Sequence, residues 1–244
     1  MLVGVPKETK DHEYRVGMTP EMVQSFILAG HRVLVQTEAG SAIGYTDEMY
    51  LQAGGEIVSA LKEAYACEMV VKVKEPLPHE WPLMHEGMIL FCYLHLAPEP
   101  KLTQALLDKK VVAIAYETVT DIAGRLPLLL PMSEIAGRIA TQAAAIYLQK
   151  NHGGRGVLLG GVPGVAPASI LVIGGGIVGS NAARMALGLG AQVTIMDTNL
   201  DTLRQLDNLF GPRLQTVFSS PTALHEHIKT ADAVIGSVLI PGKC

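Results

Sequence analysis

Short apolar runs separated by helical segments occupy most of the chain. In the first half these runs are LVGVP (2–6), RVLVQ (32–36), MVVKVK (69–74), MILFCY (88–93) and VVAIAY (111–116). In the second half they are SILVIG (169–174), QVTIMD (192–197), LQTVF (214–218) and AVIGSV (233–238). Runs that are continuous rather than alternating are typical of parallel strands buried on both faces. The pattern predicts an α/β protein with two doubly wound parallel-sheet domains.

A helical segment rich in Ala and Ile separates the two series of strands. Gly124, Pro127 and Pro131 interrupt the alternation, and Ser133-Glu134 then begin a long helix predicted over 133–150. We therefore expect a first domain over residues 1–130 and a second over 131–244, linked by that helix.

Composition excludes several classes of function. Apolar residues make up 49% of the 244 residues and the net charge is −4, so the chain has material for buried cores and no basic excess for nucleic-acid binding. Three widely spaced cysteines do not form a disulfide scaffold, which favours a reducing, cytoplasmic location. The N-terminus lacks the order of a signal peptide, and Pro163, Pro167 and several glycines break up the uncharged stretch 156–183, so we expect no membrane span. No CxxC or HExxH occurs, and we expect no metal site.

A glycine motif carries the clearest chemistry. Gly174, Gly176 and Gly179 form GxGxxG directly after an apolar run, and Asp197 ends the next run 23 residues after Gly174. In the dinucleotide fingerprint the glycines allow a tight turn, close approach of a pyrophosphate and close helix packing, while an acid about 20 residues on binds the ribose. Because Asp197 would repel a 2′-phosphate, the motif predicts NAD rather than NADP. The alternative is a glycine-rich turn that binds nothing.

Three polar residues follow strands of the first series. Lys72 and Lys74 close the run at 69–74, and His95 follows the run at 88–93. Ligands of α/β sheets bind beyond the carboxyl ends of strands, and a histidine there is a candidate acid/base. Arg15 lies in a polar loop after the first run and could clamp a carboxylate. A solvated strand end, a structural histidine and a surface arginine remain the respective alternatives.

Longer stretches resemble the alanine dehydrogenase/transhydrogenase family over residues 1 to about 242. They are VGVPKETKDHEYRVGMTP, VKVKEP, FCYLHLA, AYETV, PLLLPMSEIAGR, GGRGVLLGGVPGV, VIGGGIVGSNAARMA, DTNLDTLRQLD and VIGSVLIPG. The resemblance implies NAD-linked oxidative deamination of L-alanine to pyruvate and ammonium, with the reverse amination. It also implies a homo-hexamer of subunits with a substrate domain and a Rossmann NAD domain.

The resemblance also implies roles for individual residues. Arg15 and Lys74 correspond to ligands of the substrate's carboxylate and carbonyl, and His95 to the acid/base. The implied cofactor contacts are Ser133, Gly174, Gly176, Ile177, Gly179, Asp197, Thr202, Ser219, Val238 and Leu239.

The number of strands in the second series leaves alternatives open. Only four runs lie between 169 and 238, whereas a complete dinucleotide domain has about six strands. We therefore expect an incomplete Rossmann domain in a C-terminally truncated chain. The protein is then either an alanine-oxidising enzyme or an inactive nucleotide-binding fragment. A third alternative is the NAD-binding subunit of a proton-translocating transhydrogenase, which the histidine of Leu94-His95-Leu96 disfavours.

Overall fold

A computed structural model describes residues 1–238. The chain forms two compact units, of which the first ends at Leu128 and the second begins at Leu129. The fold class predicted from the sequence is confirmed: each unit is a parallel β-sheet connected by helices.

The first unit contains a six-stranded sheet in the order β3-β2-β1-β4-β5-β6, with every neighbouring pair parallel. Its strands are β1 (Leu2–Val5), β2 (Arg32–Gln36), β3 (Glu56–Val58), β4 (Met69–Val71), β5 (Ile89–Cys92) and β6 (Val112–Ala115). Its helices are α1 (Pro20–Leu28), α2 (Asp47–Gln52), α3 (Leu61–Tyr65) and α4 (Pro100–Asp108). This is the doubly wound order, in which strand ends near the reversal form a ligand crevice.

Side-chain alternation along the strands builds two cores in this unit. Val3, Val33 and Val71 belong to one buried cluster, whereas Val70 and Leu90 belong to another. Both clusters are apolar because parallel strands are covered by helices on both faces.

The second unit contains a four-stranded parallel sheet in the order β10-β7-β8-β9. Its strands are β7 (Ser169–Ile173), β8 (Gln192–Asp197), β9 (Leu214–Phe218) and β10 (Ala233–Gly236). Its helices are α5 (Leu130–Tyr147), α6 (Ile177–Gly188), α7 (Leu200–Phe210) and α8 (Pro221–Thr230). Among residues 1–238, no helix is both long and apolar enough to cross a membrane.

The long helix begins earlier than the sequence analysis expected. It covers Leu130–Tyr147 rather than 133–150, because Pro131 lies in its first turn, where the missing N–H leaves no helical hydrogen bond unmade. The helix packs on α6 within the second unit, where the Thr141 hydroxyl donates to the carbonyl oxygen of Ala182 at 2.9 Å.

The strand expected over 69–74 is also shorter than predicted, since β4 ends at Val71. The amide of Val73 donates to a carboxylate oxygen of Glu8 at 2.6 Å instead of to a strand partner. Lys72 and Lys74 therefore lie beyond the end of the strand.

Candidate functional site

The glycine turn joins β7 to α6 in the second unit. Gly174 has φ +103°, which side chains rarely adopt. A Cβ on Gly179 would lie 1.8 Å from the carbonyl oxygen of Gly174, so this glycine permits the close packing of helix and turn. A Cβ on Gly176 would meet no atom within 4 Å, so the space beside its backbone is open.

The first turn of α6 lies directly beyond this open space. Gly176 is the N-cap and provides no side-chain hydrogen bond to the helix. The first N–H groups of a helix have no intrahelical partners and, with the helix dipole, favour an anion. The turn therefore has the form of a phosphate cradle, and the residues present fit a dinucleotide.

Ser237, which the sequence analysis did not select, fixes this turn. Its hydroxyl lies 2.8 Å from the carbonyl oxygens of both Ile173 and Gly174, and its amide donates to Ile173 at 2.8 Å. Only its position just beyond β10, next to β7 in the sheet, could have indicated this role.

Asp197 ends β8 beside the glycine turn. One carboxylate oxygen accepts the amide of Gly175 at 2.6 Å, and the other accepts the amide of Asn199 at 2.8 Å. Each oxygen keeps a further lone pair, so the carboxylate can still accept ribose hydroxyls. Thr202 is a close neighbour, since a Cβ on Gly175 would lie 2.8 Å from the Thr202 methyl carbon and 3.1 Å from Asp197 Oδ2.

The other predicted cofactor contacts lie in several parts of the second unit. Ser219 follows β9, and its amide donates to the carbonyl oxygen of Asp197 at 2.9 Å. Ile177 is the first residue of α6, and Val238 is exposed just after Ser237. Ser133 lies half-buried in the first turn of α5. Leu239 lies outside the described residues.

In the first unit the Arg15 guanidinium binds Glu13. Its Nε donates to one carboxylate oxygen at 2.8 Å and its Nη2 to the other at 2.6 Å. The hydrogen bonds from Arg15 lower the pKa of Glu13, with a smaller contribution from the charge of Lys74. Arg15 and Lys74 therefore lie around the same carboxylate.

Lys72 and Lys74 have different environments. The Lys72 ammonium is 1% exposed and forms ion pairs with Glu80 at 2.9 Å and Glu8 at 3.4 Å. Burial opposes its charge, but the two carboxylates outweigh burial and raise the pKa of Lys72. Lys74 is half-buried, and within residues 1–238 its ammonium makes no hydrogen bond. Lys72 is therefore a structural residue, whereas Lys74 has a side chain available to a ligand.

His95 follows β5 and is exposed, with its ring stacked on Tyr93 at 6.0 Å between centroids and 15° between planes. Burial raises the pKa of Tyr93, and the charge of Arg15 opposes that shift. Tyr93 and His95 are thus neighbours in the first unit, and the charge of Arg15 acts on the Tyr93 hydroxyl. The Glu117 carboxylate, which the sequence analysis did not select, accepts the backbone amide of His95 at 2.7 Å.

No group of His, Cys, Asp and Glu side chains that could hold a metal ion occurs in the described part of the chain. His225 and His227 lie on α8, where residues two apart do not face each other.

Two parallel sheets, one with a glycine turn and a strand-end aspartate, define a Rossmann-type α/β protein. Residues 4–136 match the N-terminal domain of the alanine dehydrogenase/PNT family, and residues 140–244 match the C-terminal domain of that family. The chain belongs to the alanine dehydrogenase/PNT family.

Individual relatives are similar over the whole chain. An alanine dehydrogenase of Methanococcus maripaludis is 55% identical over 99% of this chain and 65% of its own length. A solved L-alanine dehydrogenase is 50% identical, with a TM-score of 0.94 over 100% of this chain and 67% of that one. A solved transhydrogenase from Sinorhizobium meliloti is 26% identical, with a TM-score of 0.82 over 100% of this chain and 71% of that one. The chain thus spans about 65% of the length of the curated relative.

Proposed function

We propose that this chain acts in the NAD-dependent oxidative deamination of L-alanine to pyruvate and ammonium, and in the reverse amination. The observation that carries the proposal is the open glycine turn at Gly174–Gly179 beside the strand-end carboxylate of Asp197. The names of two similar proteins, an alanine dehydrogenase and a transhydrogenase, imply a nicotinamide nucleotide as cofactor.

NAD is the preferred cofactor in this proposal. The amides of the first turn of α6 would bind the pyrophosphate, and Asp197 would accept hydrogen bonds from the ribose hydroxyls. The Asp197 carboxylate would repel the 2′-phosphate of NADP. The position of Thr202 and Ser219 next to Asp197 supports the contacts that the resemblance implies for them. The implied contacts of Ser133 and Val238 rest on the resemblance alone.

Three residues of the first unit would handle the substrate. The Arg15 guanidinium would bind the carboxylate, held in orientation by its two hydrogen bonds to Glu13. The Lys74 ammonium would donate to the oxygen that develops on the carbon next to that carboxylate. Loss of the hydride from the Cα leaves an iminium, to which water adds while a ring nitrogen of His95 takes a proton from that water. His95 would then give the proton to the amino nitrogen, which leaves as ammonia when the C=O bond of pyruvate forms. Bound NAD supplies the acceptor for the hydride of the alanine Cα.

The direct experiment measures NADH formation from L-alanine and NAD by the 244-residue chain. We expect activity with L-alanine and none with D-alanine. His95→Gln should abolish turnover and leave NAD binding intact, whereas His225→Gln, a change on the exposed face of α8, should retain both. Turnover that survives His95→Gln would show that the acid/base assignment is wrong.

A second candidate function is nucleotide binding without turnover. It is supported by the glycine turn and the Asp197 carboxylate, which lie together in the second unit and fit a nucleotide without the residues of the first unit. Saturable NADH fluorescence without alanine-dependent turnover would support this second function and contradict the first. A transhydrogenase role is less favoured because identity is 50% to the solved alanine dehydrogenase and 26% to the transhydrogenase.

The proposal includes a homo-hexamer in the cytoplasm that uses small-molecule substrates. The support for the hexamer is the family resemblance, and light scattering of the purified chain tests it. A monomeric mass under conditions of full activity would contradict this part of the proposal and leave the catalytic part standing.

A further inference from the structure

We propose that Glu117 is a positioning residue for His95, whose carboxylate holds the backbone that presents the imidazole. The inference rests on the proposed function, because that function assigns the proton transfer to His95. Glu117 would touch neither substrate nor cofactor and would act through the conformation of the residue that does.

The hydrogen bonds between Glu117 and the turn after β5 are the first evidence. Its Oε1 accepts the amides of His95 at 2.7 Å and of Leu94 at 3.1 Å, and its Oε2 lies 3.3 Å from the Leu94 amide. Two successive amides thus point at one carboxylate. Charge-assisted hydrogen bonds of this kind are stronger than neutral ones, so the carboxylate determines the path of the backbone at these two residues.

The backbone of His95 needs such a restraint. Its φ is +48°, in the left-handed region that residues with a Cβ rarely adopt. A residue with this backbone conformation persists only where the surrounding structure enforces it, and such residues are concentrated at functional sites. The Glu117 carboxylate provides two of those enforcing contacts.

The sheet explains how a residue 22 positions later reaches this turn. β5 and β6 are parallel neighbours with Cys92 opposite Ala115, so both strands end at the same edge. Tyr116 packs edge-on against Phe91 at 4.3 Å and against Tyr93 at 5.0 Å. These rings fix the segment that carries Glu117 against the strand that carries His95.

The position of the imidazole follows from this arrangement. The ring of His95 is exposed and stacked on Tyr93, two residues earlier. A side chain reaches back over residue 93 in this way when the backbone turns at residues 94 and 95. A change of the turn to ordinary backbone angles would move the ring away from Tyr93.

The test compares Glu117→Ala and Glu117→Gln with Glu99→Gln, a control on an exposed glutamate of the loop after His95. We expect Glu117→Ala to lower kcat for alanine oxidation by about tenfold to a hundredfold, the range for a lost hydrogen bond to a charged group. Glu117→Gln, which keeps one acceptor oxygen, should lose less. The KM for NAD should be unchanged in all three variants. A kcat within twofold of the parent in Glu117→Ala, or an equal loss of NAD binding, would overturn the proposal.

Hydrogen exchange gives a readout that does not need turnover. In the parent chain the amides of Leu94 and His95 should be protected, and Glu117→Ala should speed their exchange by about tenfold or more while leaving the amides of β7 and β8 unchanged. Unchanged exchange at residues 94 and 95 would contradict the positioning role. If the parent chain does not oxidise alanine at all, the proposed function fails, and exchange still decides whether Glu117 holds this turn.

Discussion

Glutamates hold each of the residues that would contact the substrate in the first unit. Each of the three predicted substrate-handling residues donates a hydrogen bond to a glutamate carboxylate, through its side chain or its backbone amide. The pairs are Glu13 with the Arg15 side chain, Glu8 with the amide of Lys74 and Glu117 with the amide of His95. The orientation of these residues therefore depends on acids whose role the sequence did not reveal.

At Asp197 we predict a change of both affinity and specificity. Asp197→Ala should weaken NAD binding by about tenfold, because the ribose hydroxyls lose a charged acceptor. It should also improve NADP binding relative to NAD, because the repulsion of the 2′-phosphate is removed. Fluorescence titration of the two nucleotides measures both effects.

Asp207→Ala is the matched control, since this acid lies exposed further along α7. It should leave both affinities unchanged. If Asp197→Ala keeps the parent preference between the two nucleotides, the assignment of Asp197 to the ribose is wrong.

The end of β4 illustrates how a single element depends on distant residues. The apolar run predicts a strand, and a strand forms, but it ends at Val71, beyond which the amide of Val73 donates to the Glu8 carboxylate. Glu8 lies 65 residues from Val73 in the chain. The run itself could be read from the sequence, because burial on both faces requires apolar residues; its end could not, because it depends on a long-range contact.

Lys72→Met should destabilise the first unit. It leaves Glu8 and Glu80 buried without their cation, and removal of one partner of a buried ion pair costs about 3–5 kcal/mol. Urea denaturation of the variant and of Lys62→Met, an exposed control on α3, measures the difference. A loss of unfolding free energy in Lys72→Met no larger than that in Lys62→Met would contradict the structural role of Lys72.

The loss of unfolding free energy caused by Lys72→Met should also depend on pH. Burial already raises the pKa of Glu8, and Lys72 opposes that shift. Without Lys72 the folded-state pKa rises further above the unfolded value, so the folded variant binds protons more tightly. Its stability relative to the parent should then recover as the pH falls towards the ordinary range of glutamate and decline as the pH rises.

A second prediction about individual elements concerns the packing of α5 on α6. A Cβ on Gly137 would lie 2.2 Å from the carbonyl oxygen of Val178, so Gly137→Ala forces the helices apart and should cost about 1–3 kcal/mol. Gly188→Ala is the control, because a Cβ there meets nothing within 4 Å, and it should be neutral or slightly stabilising. Thermal unfolding that ranks the two variants in the opposite order would contradict this packing.

At the scale of the whole molecule, the sequence predicts the two sheets and the glycine turn. It does not predict the residues from other strands whose hydrogen bonds hold these turns in place. Apolar runs and GxGxxG are local patterns, so they indicate strands and the turn at Gly174–Gly179 directly. Ser237 and Glu117 are brought to these sites by strand order, which local patterns do not contain. The predicted start of α5 at residue 133 is wrong, because Pro131 lies in the first turn of the helix, where a proline is compatible with helical structure.

Titration calorimetry of the 244-residue chain with NAD and then with NADP shows whether the backbone at residues 174–179 binds a dinucleotide and whether Asp197 selects its ribose. We predict saturable binding of NAD at one site per chain, with NADP about tenfold weaker or more. A folded sample that binds neither nucleotide, or binds both equally, would contradict the account.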